Sequence, residues 1–323
     1  MVNYVLFGLL IVVPRTVCDA SDRFPFNSHD KNNQTEEARA AAVISHAWFQ
    51  NVTSYPLSSD TRPLILYLQG GPGVPSVRSA FQENGPFIED EDLNMSLRKF
   101  SFTNGEYAQN QTIIAQHVYE ALTQCFDLFS ELEDRAFYVA GVSYGGKYTV
   151  SLASYIDEQN KIAARKINLH ALIVESGFVD PVHQVNYRDY HYQLGLVEKQ
   201  TREMLKKIET AIITDINNGD YQHAMDNYAR LIVPYKGPRL FENLTGFDND
   251  LDYLEAVAPR PHYRDLVTQV DFRSAMHVGN TTFNAVAIDV FMNLLLDYSQ
   301  NVAPQIAKLL DKYSVFHWTE RWW

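Results

Sequence analysis

The chain has 323 residues, 46% of them hydrophobic and 20% charged, which is enough apolar material for one large core or two modest ones. Its formal net charge is −12. An acidic excess of that size repels phosphate backbones and anionic lipid headgroups, which argues against nucleic acid and membrane surfaces as partners.

Residues 4–13 form an apolar run, YVLFGLLIVV. It is too short to span a bilayer, and with small residues at Cys18 and Ala20 behind it, it suits the core of a leader peptide. A leader over residues 1–20 and a single domain over 21–323 are therefore expected; the competing reading of the run is a buried strand. No later stretch reads as long and apolar enough to cross a membrane. Six glycosylation sequons begin at Asn33, Asn51, Asn94, Asn110, Asn243 and Asn280. Leader and sequons together point to the secretory pathway, ending outside the cell or in the lysosome. If Cys18 leaves with the leader, Cys125 is the one cysteine left, so no internal disulfide is expected.

Residues 21–55 are polar apart from a helix- or strand-like piece, AAVISHAWF. RPLILYL at 62–68 is a short apolar run ending in Gly-Gly-Pro-Gly, which predicts a buried strand feeding a sharp loop. Residues 110–132 carry apolar side chains at helical spacing. AFYVAGV at 136–142 predicts the next strand, 147–160 the helix after it, and 168–181 another strand and turn. Strand, helix, strand, helix, strand in this order predicts an α/β fold with a largely parallel sheet. Residues from about 186 to 265 differ: 201–233 read as amphipathic helix, which predicts a helical insertion capping the sheet. Residues 289–313 are again helical in pattern, and SVFHW at 314–318 reads as a final strand.

The most informative stretch is GVSYG at 141–145. Gly141, Ser143 and Gly145 have the spacing of a nucleophile elbow. Such a pentamer arises by composition in roughly one chain in ten of this length, so its context matters more than the motif. Here an apolar strand precedes it and a helix follows. A strand turning that sharply leaves the serine at the apex. It also aims the amide of Tyr144, near a helix N-terminus, at a developing oxyanion. The consecutive glycines of YLQGGPG at 67–73 offer a second set of close backbone amides.

The segments PLILYLQGGPG, FQENGPF, FYVAGVSYGGKY, Asp180-Pro181 and AMHVGNTTFN, in that order, resemble the serine carboxypeptidases, above all their vitellogenic-like group. The resemblance implies an α/β-hydrolase-type, mostly parallel sheet flanked by helices, with a helical cap insertion. It implies an exopeptidase that removes the last residue of peptides or proteins with a free C-terminus through a Ser-His-Asp triad, without cofactor or metal. Carried over by position, Ser143 is the nucleophile and Gly71 and Tyr144 supply oxyanion amides. Gln69, Gly70 and Glu83 bind the substrate's terminal carboxylate. Glu83 must be protonated to donate to a carboxylate, which fits work at acidic pH.

The chain departs from the family pattern at four places. Val142 stands where the family carries an acidic residue beside the serine. A strand and loop of roughly twenty residues are missing around FSF at 100–102, judged against the family pattern, which is expected to leave backbone groups unpaired beside the elbow strand. Val74-Pro75-Ser76 replaces a small residue and two serines. Finally, the triad aspartate and histidine have no counterpart at their family positions: His317 falls on the strand before the aspartate, and His277 matches no triad position. The alternative reading is thus a secreted, catalytically inactive peptide-binding protein on the same scaffold.

Overall fold

The computed structural model describes residues 8–12, 63–72, 74, 76, 108–128, 130–231, 239–247, 265, 268–270 and 288–319. Expectations for residues 21–55, for Gly73, Pro75, Glu83, FSF at 100–102 and His277, and for the sequons at Asn33, Asn51, Asn94 and Asn280, lie outside them.

Among the described residues five strands form one sheet in chain order, β1 (Gly8–Val12), β2 (Leu64–Leu68), β3 (Phe137–Val142), β4 (Leu169–Glu175) and β5 (Ser314–Trp318). β2 to β5 are all parallel, and β1 pairs antiparallel with β2. Parallel neighbours need crossovers, and helices supply them. α1 (Gln111–Leu128) and a short 3-10 turn lead from β2 towards β3, and α2 (Gly145–Gln159) joins β3 to β4. The two helices pack together, and α2 lies on β3 and β4. Leu64, Leu66 and Leu68 of β2 and Phe137 and Val139 of β3 are fully buried on that side of the sheet. Ile65, Tyr138, Val142 and Ile173, one residue out of phase, are half-buried on the other. The period of two thus survives in strands that read as continuous apolar runs.

The cap begins after β4. α3 (Pro181–Gln184), α4 (Arg188–Gln193), α5 (Lys199–Asn217), α6 (Tyr221–Leu231) and α7 (Leu240–Thr245) follow one another. The amphipathic run at 201–233 is two helices, broken where Gly219 takes φ 75°. α5 and α6 close a second core of Leu205, Ile212, Met225, Tyr228 and Leu231. Glu209, fully buried, accepts the Tyr187 and Arg188 amides at 2.8 Å each and pairs with the Arg188 guanidinium, fixing the start of α4 against α5. The chain returns through α8 (Ile288–Asn293), α9 (Leu295–Tyr298) and α10 (Ala303–Leu310) to β5. Tyr298 packs against both cores.

One expectation changes, and one apolar run gains a place in the sheet. The elbow strand β3 is paired on both sides, by β2 and β4, so no backbone groups are left open beside it. The apolar run of the expected leader contains β1, the edge strand covering β2, because an unpaired strand edge is costly and the run is apolar enough to fill it. Deleting residues 1–20 should therefore speed amide hydrogen exchange at alternate residues of Leu64–Leu68 and leave Phe137–Val142 protected. Unchanged exchange in β2 would contradict the pairing.

Candidate active site

The turn from β3 into α2 is built by steric exclusion. Ser143 sits at its apex, exposed, with φ 56°, a conformation that costs a non-glycine residue about 1–2 kcal/mol. A Cβ on Gly141 would stand 2.3 Å from the Gly145 carbonyl oxygen, and one on Gly145 would stand 2.1 Å from that of Leu68. Both distances are impossible, so both elbow positions require glycine. The Ser143 amide donates to the Glu175 carbonyl at 3.0 Å, and the Ser143 carbonyl accepts from Gly146 N at 3.0 Å and Phe178 N at 2.8 Å. These bonds hold the strained residue in place.

The glycine loop presses on this apex from the end of β2. A Cβ on Gly70 would lie 2.8 Å from the Val142 carbonyl oxygen, 2.9 Å from Ser143 Cβ and 2.9 Å from Tyr144 N. Gly71 has φ 108°, in the region that favours glycine. The loop is closed on itself: Gln69 Oε1 accepts the Gly70 amide at 2.7 Å, Gln69 N donates to Ser76 Oγ at 3.1 Å, and Val74 N to Gly70 O at 3.2 Å. Gln69, Gly70, Gly71, Gly141, Ser143, Tyr144 and Gly145 are thus brought together. In this arrangement, however, the Gln69 side chain engages its neighbour's amide and is itself buried.

A buried polar network behind the apex was not legible in the sequence. The Tyr144 hydroxyl donates to Asp297 Oδ2 at 2.7 Å. Gln111 donates to the same oxygen from Nε2 at 2.7 Å and to Oδ1 from its backbone amide at 3.2 Å. Lys147, with no exposed surface, donates from Nζ to the carbonyls of Asp297 at 3.1 Å, Tyr298 at 2.6 Å and Gln300. Burial raises the Tyr144 hydroxyl well above its ordinary pKa, and the Asp297 charge raises it further, so it stays a donor. Three carbonyls suit the three donors of an ammonium, yet burial pulls Lys147 down to about 7, against the opposing pull of Asp297.

Among the described residues no histidine bonds the serine. His183 Nδ1 lies 2.7 Å from Asp180 Oδ2, shortly after the residue that bonds the Ser143 carbonyl. The same i,i+3 pairing recurs between Asp220 and His223 at 2.6 Å, where α6 starts, so it reads as helix-start chemistry. His317 is exposed on β5, opposite Val174 and so separated from the elbow strand by β4. Ser176, at the end of β4, has φ 43°, a second left-handed serine that no motif announced. Of the two described sequons, Asn243 is exposed on α7, whereas Asn110 is half-buried and caps α1, its Oδ1 accepting Ile113 N at 3.0 Å. Among the described residues no three His, Cys, Asp or Glu side chains gather as metal ligands.

Known proteins resemble this chain in sequence and in fold. The residue pattern of the family described as serine carboxypeptidase matches residues 43–104 and 99–316. The chain belongs to the serine carboxypeptidase family. The two matched segments overlap at 99–104. The venom serine carboxypeptidase of Apis mellifera is 35% identical over 88% of this chain and 71% of its own length. The vitellogenic carboxypeptidase of Aedes aegypti is 27% identical over 88% of this chain and 70% of its own. Four mammalian carboxypeptidases are matched over 61% of their length. In structure the chain is similar to Kex1Δp, a prohormone-processing carboxypeptidase from Saccharomyces cerevisiae. The TM-score is 0.63 at 18% identity, over 79% of this chain and 64% of that one, a likeness of fold. The sheet and its flanking helices are thus those of an α/β-hydrolase carboxypeptidase.

Gly145→Ala should cost about 3 kcal/mol or more, or prevent folding, because the clash is with backbone rather than a movable side chain; thermal unfolding measures it, and an unchanged midpoint would contradict the contact. Lys147 gives a second expectation. The folded chain releases this proton near pH 7 and the unfolded chain near 10.5, so between those values the unfolded state binds more protons. Stability from this group therefore rises with pH across that window, by up to about 1.4 kcal/mol per unit, and is flat below it. Lys147→Met should remove that slope in urea titrations between pH 7 and pH 9.

Proposed function

We propose that the site takes the free C-terminus of peptides or proteins and releases the last residue through Ser143. Its Oγ attacks the final peptide carbonyl, and the amides of Gly71 and Tyr144 hold the oxyanion. The terminal amino acid leaves with a proton, and water then hydrolyses the acyl-serine. Gln69, Gly70 and Glu83 recognise the terminal carboxylate, which asks Gln69 Oε1 to release the Gly70 amide when substrate arrives. The secretory pathway is the proposed setting, with residues 1–20 as leader; among the described residues no helix is long and apolar enough to cross a membrane. The observation that carries this reading is an exposed, left-handed Ser143 with the glycine loop pressed against it.

One observation favours a second reading, binding without turnover. Among the described residues no imidazole or carboxylate hydrogen-bonds the Ser143 hydroxyl, and a serine without a base is a poor nucleophile. The test uses a free-acid peptide and its C-terminal amide at pH 5 and pH 7, with calorimetry for binding and mass spectrometry for product. The proposal expects the free acid to bind in preference to the amide and to lose its last residue, with loss abolished in Ser143→Ala. Preferential binding with no product establishes the second reading. Equal or absent binding of the two peptides overturns both.

A further inference from the structure

We propose that Asp297, seconded by Gln111, is a positioning residue for the backbone amide of Tyr144. It would act on the oxyanion site through that tyrosine without touching a substrate. The inference rests on the reading of the Tyr144 amide as an oxyanion donor. The peptide unit carrying that amide joins Ser143 to Tyr144, and its plane is set by both ends. The Ser143 end is held by Glu175 O, Gly146 N and Phe178 N. At the Tyr144 end the side chain adds a second hold, beside the helical bond from Lys147 N to the Tyr144 carbonyl at 3.0 Å.

That hold is directional. The Tyr144 ring stacks on Tyr298 at 5.4 Å between centroids and meets Tyr148 edge-on at 5.2 Å, which leaves it little room to swing. Its hydroxyl ends on Asp297 Oδ2, an oxygen shared with Gln111 Nε2, and that nitrogen also lies 3.2 Å from the hydroxyl. The segment bearing Asp297 is tied again one turn along α2, where Lys147 donates to three of its carbonyls. The first turn of α2 is therefore fastened at two points to α9 and the chain just after it. Asp297 and Lys147 are both buried, yet the ammonium faces carbonyls and the carboxylate faces neutral donors. Apolar residues of similar volume would fasten two helices at lower desolvation cost. What they would not do is fix a rotation, and an oxyanion donor must point to within a few tenths of an ångström of where the charge develops.

The test compares a peptidyl boronic acid, whose tetrahedral serine adduct uses the oxyanion amides, with the plain free-acid peptide, which does not. Asp297→Ala and Tyr144→Phe should weaken boronate binding tenfold or more and leave the peptide within twofold. Asp297→Asn, which keeps one acceptor oxygen, should recover part of the loss. Leu309→Ala, a buried change in the main core that breaks none of these hydrogen bonds, should lower stability while leaving both affinities within twofold. Parallel loss of boronate and peptide in Asp297→Ala, or boronate binding equal to the parent, overturns the proposal. A folded parent that binds no boronate refutes the reactive-serine reading instead. Hydrogen exchange then decides the positioning claim: faster exchange at 143–147 in Asp297→Ala with Leu169–Glu175 unchanged supports it, and unchanged exchange at 143–147 overturns it.

Discussion

The arrangement depends on one close approach between backbones. The end of β2 touches the start of α2 at the Leu68 carbonyl and Gly145, with no space for a single carbon atom between them. Gly70 repeats the approach one layer higher, against Val142, Ser143 and Tyr144, and Gly141 does so from within the elbow strand. Three glycines at three faces of one turn let strand, loop and helix converge on a serine. A side chain at Gly70 or Gly145 pushes the glycine loop off the apex, and one at Gly141 pushes α2 away from the elbow strand. The left-handed backbone of Ser143 is then a consequence, held by neighbours that cannot move apart because β2, β3 and β4 are laddered together beneath it.

Behind the apex, packing and polarity divide the labour. The apolar faces of the sheet, α1 and α2 supply the bulk of the burial, while a second core stabilises the cap. Tyr298 packs against both, and it is the residue on which the Tyr144 ring stacks. The cap and the turn at Ser143 are consequently mechanically continuous: the segment that closes the cap core is the one whose carbonyls receive Lys147 and whose carboxylate receives Tyr144. Changes in how the cap packs have a short physical route to the proposed oxyanion site.

Local features were legible in the sequence. The elbow, the glycine loop, the strands at 64–68, 137–142, 169–175 and 314–318 and the helices between them follow from apolar periodicity and glycine placement within a few residues. Three things were not. Tyr144 and Asp297 are 153 positions apart and Gln111 and Asp297 are 186 apart, so no window of sequence joins them. β1 was masked by composition, since a leader core and a short buried strand have the same apolar signature. The three-residue break around Gly219 was hidden by the amphipathic pattern that continues on both sides of it. The place of Val142 is the reverse case: the substitution is plain in the sequence, and the structure adds only that its side chain is half-buried on the sheet face away from α2.

The account stands or falls on whether the converging glycines present Ser143 as a reactive group. The most direct measurement is treatment of the purified, folded chain with a fluorophosphonate, followed by peptide mass spectrometry. The account predicts modification at Ser143 alone among the serines, lost when Gly70→Ala forces the loop away from the apex. A folded chain in which Ser143 stays unmodified, or is modified no faster than other exposed serines, would contradict it.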